Sequence, residues 1–142
     1  MENKSSLAES IIEQIADAVI YADETGTIRR WNHAAVTLFG YEAPEALGKN
    51  LDLIIPEHLR TAHWRGFESA MTSGALKLQG CPTLTRTAHK TGRKLYVEMT
   101  FARVNGEPGG PARGAVAIAR DVTERIEQQR ASARRDNPEM PS

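Results

Sequence analysis

The chain has a single cysteine, no surplus of charge of either sign and no long apolar run, and each shortage removes a class of protein. With Cys81 alone, no internal disulfide and no multi-cysteine zinc site can form, which points to a reducing, cytoplasmic compartment. Lys plus Arg equals Asp plus Glu at 18 each, so no net field draws the chain to nucleic acid or to an anionic membrane. No apolar stretch approaches the roughly 18 residues that a membrane-spanning helix needs. The opening MENKSSLAES also lacks the apolar core of a signal peptide. At 142 residues the chain suits one domain with its own core, with no room for a second catalytic domain.

What is present is a succession of short periodic segments. Leu7, Ile11, Ile12 and Ile15 recur at helical spacing and predict a short amphipathic N-terminal helix. Two apolar runs, 18–22 and 27–31, flank Asp-Glu-Thr-Gly, where Gly26 can take positive φ; this predicts a β-hairpin. Asn32 stands as an N-cap before HAAVTLFGY, with Gly40 as the stop, and EAPEALGKN predicts another turn or two ending at Gly48. LDLIIP is an apolar connector closed by Pro56.

Extended segments are expected over 76–88, 94–104 and 113–121, separated by HKTGRK and NGEPGGPA, which makes an antiparallel meander. The middle one sets Leu95, Val97, Met99 and Phe101 against Tyr96, Glu98, Thr100 and Ala102. The last carries Ala115, Ala117 and Ala119 on one face, and small side chains on a sheet leave room for something to approach it. Residues 122–135 predict a polar helix capped by Thr123, with Val122 and Ile126 forming a thin exposed seam; the tail 136–142 is expected to be disordered.

Residues 55–71, IPEHLRTAHWRGFESAM, pose the chemical question. Wound as a helix after Pro56 and stopped by Gly74, they bring Leu59, Ala62, His63, Gly66, Phe67 and Ala70 to one side. An imidazole in that apolar stripe must find a hydrogen-bond partner, lie at a rim or bind a ligand, because burying it unsatisfied costs about 1–3 kcal/mol. His33, His58 and His89 fall at helix starts or in a turn and are expected to be solvated, and Cys81 to be buried or half-buried on a strand. Their spacing offers no paired-histidine metal site, no nucleophile elbow and no phosphate loop, so catalysis is not expected.

Four pieces, DAVIYADETGTIRRWNHAAVTLFGY, GKNLDLIIPEHLRTAHWRGF, HKTGRKLYVEMTF and ARDVTERIEQQ, together resemble a PAS domain. The resemblance implies an α+β fold: a five-stranded antiparallel sheet with short helices and one longer helix on one face, enclosing a pocket, in a sensory or dimerising module. It divides the chain into an N-terminal flanking helix (1–16), the PAS domain (17–121) and an exit helix with its tail (122–142). The long-helix segment is similar to that of FixL-type haem oxygen sensors, and the count from Pro56 puts His63 at the position of their proximal haem ligand. That similarity implies haem b ligated by His63, sensing a diatomic gas or redox state. Other PAS domains carry the same helix without demonstrated haem, the histidine capping or bridging, and they imply a cofactor-free dimerisation or interaction module instead.

The residues expected to bound the pocket are His63, Phe67, Leu78, Thr83, Met99, Phe101 and Ala117, with Val116 beside them. Thr83 stands where the oxygen sensors place an arginine, and Met99 and Phe101 where they place distal apolar residues, implying a bulkier and less polar distal side. Lys77 lies near the family's propionate contacts but needs no explanation beyond a surface lysine. Leu51 occupies the place of the cysteine that light-sensing LOV domains use, so LOV-type flavin adduct chemistry is not expected. The exit motif Asp121-Val122-Thr123 is expected to couple the sheet to the exit helix, which with the N-terminal helix would pack against a second subunit as a homodimer.

Overall fold

The computed structural model describes residues 4–73 and 81–136. Its elements are α1 (Lys4–Gln14), β1 (Ala18–Asp23), β2 (Ile28–Trp31), α2 (His33–Phe39), α3 (Ala43–Ala46), α4 (Arg60–Ser73), β3 (Thr83–Ala88), β4 (Lys94–Val104), β5 (Gly114–Asp121) and α5 (Thr123–Asp136). Two 3-10 turns, Leu51–Leu53 and Glu57–Leu59, join α3 to α4. The five strands form one antiparallel sheet in the order β2-β1-β5-β4-β3.

Alternation decides which face is filled. Leu95, Val97 and Met99 of β4 are buried, with Ala119 of β5 and Ala18 and Ile20 of β1 on the same inner face. α2 and α3 close one end of that face, where Trp31 and Phe39 meet at 5.5 Å between ring centroids. Complete burial of Phe39, Leu95 and Val97 is worth about 2 kcal/mol each. Asn32 is the expected cap and more: Oδ1 accepts from Ala35 N and Val19 N, while Nδ2 donates to the carbonyls of Ile12 and Asp17, so one amide ties α1, β1 and α2 together.

Two glycines are required by what lies over them. Gly26 has φ +83°, and a Cβ there would stand 2.3 Å from the Trp64 ring. Gly40 ends α2 at φ +85°, and a Cβ there would stand 2.5 Å from the His89 imidazole. His89 is therefore half-buried rather than solvated; its Nδ1 accepts from Thr91 N at 3.1 Å and closes the β3–β4 turn.

The structure corrects the sequence reading elsewhere. Within 76–88, strand begins at Thr83; Pro82 has no N–H for the ladder, and 76–80, with Leu78 and Lys77, lie outside the described residues. Gly74 and the tail beyond residue 136 lie outside them as well. Cys81 is exposed, not buried. The first turn after Pro56 is 3-10, and the α-helix begins at Arg60. Val122 and Ile126 are each 8% exposed, buried within their own chain rather than presented as a seam. The reason lies at Thr123: its Oγ1 accepts from Tyr96 N at 2.9 Å and donates to Tyr96 O, while Asp121 Oδ1 accepts from Thr123 N at 2.9 Å. These bonds turn α5 back over its own sheet, where Arg130 Nη1 donates to the Tyr96 hydroxyl at 2.7 Å.

Candidate ligand cavity

The inner face of the sheet continues from the core into a cavity of about 360 Å³, and Ile20, Ile54 and Met99 belong to both. Its helix wall is Leu59, Ala62, His63 and Phe67; its sheet wall includes Thr85 and Thr87 of β3, Met99 and Phe101 of β4, and Ala115 and Ala117 of β5. The volume exists because β5 places alanine opposite α4, where a longer side chain would fill the space. It falls within the roughly 300–1,000 Å³ typical of small-molecule sites.

α4 is seated over the cavity through Asp52. The Trp64 indole donates to Asp52 Oδ1 at 2.7 Å, and Arg60 donates through Nη2 to Asp52 O at 3.2 Å and through Nε to Ile55 O at 3.0 Å. Farther along, Ala70 and Met71 are buried beside Ala112, with Phe67 and Ala115 packed on them. His63 thus hangs from a helix fixed at both ends. Its ring meets Trp64 edge-on at 4.7 Å and stacks on Phe67 at 6.1 Å and 28° between planes.

His63 Nδ1 is buried without a hydrogen-bond partner, which leaves the opening choice between partner, rim and ligand without a protein partner on that nitrogen. Burial pushes its pKa below the ordinary histidine value and outweighs the upward pull of the Asp52 carboxylate, so the imidazole is neutral at pH 7. Two further buried polar atoms on the lining residues are also unpartnered, Nε of Arg86 and Oγ1 of Thr87, the latter residue 2% exposed.

Of the residues expected at the pocket, His63, Phe67, Met99, Phe101 and Ala117 come together on this cavity, and Val116 borders it although its side chain shares the outer face with Tyr21. Thr83 does not line it. It faces inward opposite Met99 but lies beyond the cavity, and its Oγ1 donates to Cys81 O. An ungapped count from His63 stops at Thr83, whereas the alternation of TLTRTA carries the same face on to Thr85 and Thr87; that period was the available signal. The sheet wall is accordingly more polar than expected. Arg86 also borders the cavity, although it pairs with Tyr96 and shares its outer face.

Haem b is the group implied by the resemblance, and its ligation fits the residues present. A neutral, unpartnered imidazole on a rigid helix is the donor that iron takes, and apolar walls suit a porphyrin. Space is tighter: Met99 and Phe101, the bulkiest side chains on the sheet wall, must turn aside for so large a ring. Leu51, expected at the place of the LOV cysteine, also lines the cavity. Among the described residues, no cluster of three or more His, Cys, Asp and Glu side chains could hold a bare metal ion, and no helix is long and apolar enough to cross a membrane.

The sheet order, the helices over one face and the cavity beneath them define a ligand-cavity α+β module, and comparison with known proteins places it. The family model for the PAS fold matches residues 7–122, and the chain belongs to that family of sensory and signalling modules. A crystal structure of the PAS domain of a protein from Colwellia psychrerythraea superimposes with a TM-score of 0.71 at 24% identity, covering 86% of this chain and 99% of that one. The oxygen sensor protein DosP of Escherichia coli is 27% identical over 96 residues, covering 68% of this chain and 12% of DosP. An uncharacterized protein of Azorhizobium caulinodans is 31% identical over 126 residues, 88% of this chain and 17% of its own. The chain thus spans less than a fifth of the length of these two relatives.

Proposed function

We propose that the chain is a cytoplasmic sensory PAS module that acts by binding rather than catalysis and holds haem b in its cavity through His63. The observation that carries this reading is the neutral, half-buried His63 with an unpartnered Nδ1 on the wall of an apolar cavity. The similarity to an oxygen sensor supports it. Haem iron supplies a site whose occupancy by a diatomic gas, or whose redox state, changes the charge and geometry inside the module. This chain's residues do the rest. Phe67 and Trp64 fix the imidazole plane, and Asp52 holds the helix that carries it. Met99, Phe101 and Ala117 keep water from the opposite side.

The test is an absorbance spectrum of purified protein titrated with haemin. A stoichiometric Soret band is expected, and His63→Ala should abolish it while the far-ultraviolet circular dichroism is unchanged. A full Soret band in His63→Ala would remove His63 as the ligand. Binding should also weaken as pH falls. The unliganded folded state keeps the His63 pKa below its unfolded value, so the neutral form dominates above about pH 6.5. Protonation at lower pH competes with iron, and the same proton destabilises the fold, with stability present above the unfolded pKa and lost as pH falls through the folded one.

A second reading, a cofactor-free association module, is favoured by one observation. Leu7, Ile11 and Ile15 lie 57%, 52% and 38% exposed along α1 and the residue that follows it, an apolar stripe suited to a second copy of the chain. A colourless protein that sediments as a dimer at micromolar concentration would select it.

A further inference from the structure

Three residues that line the cavity carry a buried polar atom without a partner: His63 Nδ1 on the helix wall, and Arg86 Nε and Thr87 Oγ1 on β3, where alternation turns Arg86 to the outer face with Tyr96 and Thr87 to the inner face with Leu95. The His63 orphan is absorbed by the reading above; the Thr87 orphan is not. Thr87 is among the most completely enclosed polar residues of the described chain, on the inner face of β3 opposite Leu95. A threonine hydroxyl ordinarily finds an acceptor when buried, because an unmade bond there costs more than an apolar side chain of the same shape would. Valine has that shape. A buried hydroxyl kept at such a position is explained if something that enters the cavity accepts from it.

We propose that Thr87 is the polar contact of the ligand site, donating from the sheet wall to an uncharged hydrogen-bond acceptor held in the cavity. This rests on reading the cavity as a ligand site, not on the ligand being haem. The acceptor has two sources of one chemistry. It is either a small molecule seated on a His63-held haem, on the side facing the sheet, or a heteroatom of a flat organic ligand lying directly in the cavity. The size of the latter follows from the volume: an apolar cavity of about 150 Å³ holds benzene, so about 360 Å³ suits two or three fused rings. The rest of the wall, Leu59, Ala62, Phe67 and Phe101, matches the faces of such rings. With Thr85 Oγ1 donating to Thr83 O and Arg86 turned to the outer face of β3, Thr87 is the sheet-wall donor that decides which acceptor-bearing ligands are preferred over their hydrocarbon counterparts.

The experiment compares wild type, Thr87→Val and Thr87→Ser. In the haem-free protein, calorimetric titration with isoquinoline and with naphthalene separates the acceptor from its ring. Thr87→Val should weaken isoquinoline about tenfold and leave naphthalene within about twofold, with Thr87→Ser close to wild type. In the haemin-loaded, reduced protein, Thr87→Val should lower oxygen affinity relative to carbon monoxide by a similar factor. Whichever arm responds identifies the source. In the absence of ligand, Thr87→Val should melt no lower than wild type, since it removes an unpartnered hydroxyl. A valine variant that melts lower and binds both bicyclic probes equally weakly would make Thr87 structural and overturn the proposal. So would unchanged discrimination in both arms. If wild type binds neither bicyclic probe nor haemin, the cavity reading itself falls, and this proposal with it.

Discussion

Of the two flanking helices α1 is the more apolar, with Leu7, Ile11 and Ile12 against the single Ile126 of α5, yet their fates run the other way. α5 and the residue before it bury Ile126 and Val122 at 8% exposure each, whereas α1 and the residue after it leave Leu7, Ile11 and Ile15 between 38% and 57% exposed. The difference lies in where each helix is anchored. α5 is gripped at its first turn, where Asp121, Thr123 and Tyr96 fix the direction in which it leaves β5. Farther along, the Arg130 guanidinium lies 4.8 Å from the Tyr96 ring centre and holds the helix down on the sheet. α1 is gripped at its last turn by Asn32 and along its length by an exposed pair, Glu9 Oε1 to Arg30 Nη2 at 2.6 Å. Exposed pairs of that kind contribute less than about 1 kcal/mol. A sparse apolar seam thus goes where its anchor points it: inward for α5, and outward for α1.

The comparison breaks most completely at Asn32. Asn32→Ala removes two accepted bonds and the bonds of the two Nδ2 hydrogens, shared among the carbonyls of Ile12, Ile15 and Asp17, inside a residue 1% exposed, and leaves Val19 N and those carbonyls without that partner. At about 1 kcal/mol each, the loss should reach about 4 kcal/mol in urea unfolding. Hydrogen exchange should show α1 released while α5 stays protected. If α1 retains its protection, Asn32 is not the anchor.

The second test exchanges depth for exposure. Ile126→Ala leaves a cavity between α5 and β4 and should cost about 2 kcal/mol. The same truncation at Ile11 should change the stability of the isolated chain by less than about 0.5 kcal/mol. Chemical denaturation at low micromolar concentration measures both, and equal costs would mean that α1 is packed as α5 is.

Much of this was readable in the sequence because the local rules agree with one another. The alternation of β4, the cap at Asn32 and the stops at Gly40 and Gly48 each name their own element, and the helical stripe around His63 names the wall it lines, whereas Thr123, expected as a cap, is the first residue of α5 and commits its hydroxyl to Tyr96. What was not readable depends on contacts distant in the chain. Nothing in VTERIEQQR says that Val122 and Ile126 turn back onto β4, since the bonds that direct them come from Tyr96, 27 residues away from Thr123. The inward turn of Thr87 follows from a strand register fixed by pairing with Leu95, which counting from His63 could not supply. Cys81 looks like a strand residue by its neighbours and is exposed because Pro82 delays the ladder to Thr83.

The smallest effect on the single chain should be the most informative about its surroundings. The Leu7, Ile11 and Ile15 stripe lies beside a second hollow of about 580 Å³, bordered by Ile15, His33, Leu38 and Arg120, so an apolar helix and a receptive groove share one side of the molecule. Such a surface suits a two-fold interface, each copy offering stripe and groove to the other. Ile11→Asp with Ile15→Asp puts two carboxylates where that interface would exclude water, and an unpaired charge there opposes association strongly. The folded monomer loses little, because Ile11 is 52% and Ile15 38% exposed. Sedimentation equilibrium should show wild type as a dimer at high micromolar concentration and the double variant as a monomer of unchanged melting temperature. A wild type that stays monomeric across that range would mean that α1 is held open for a partner other than its own copy.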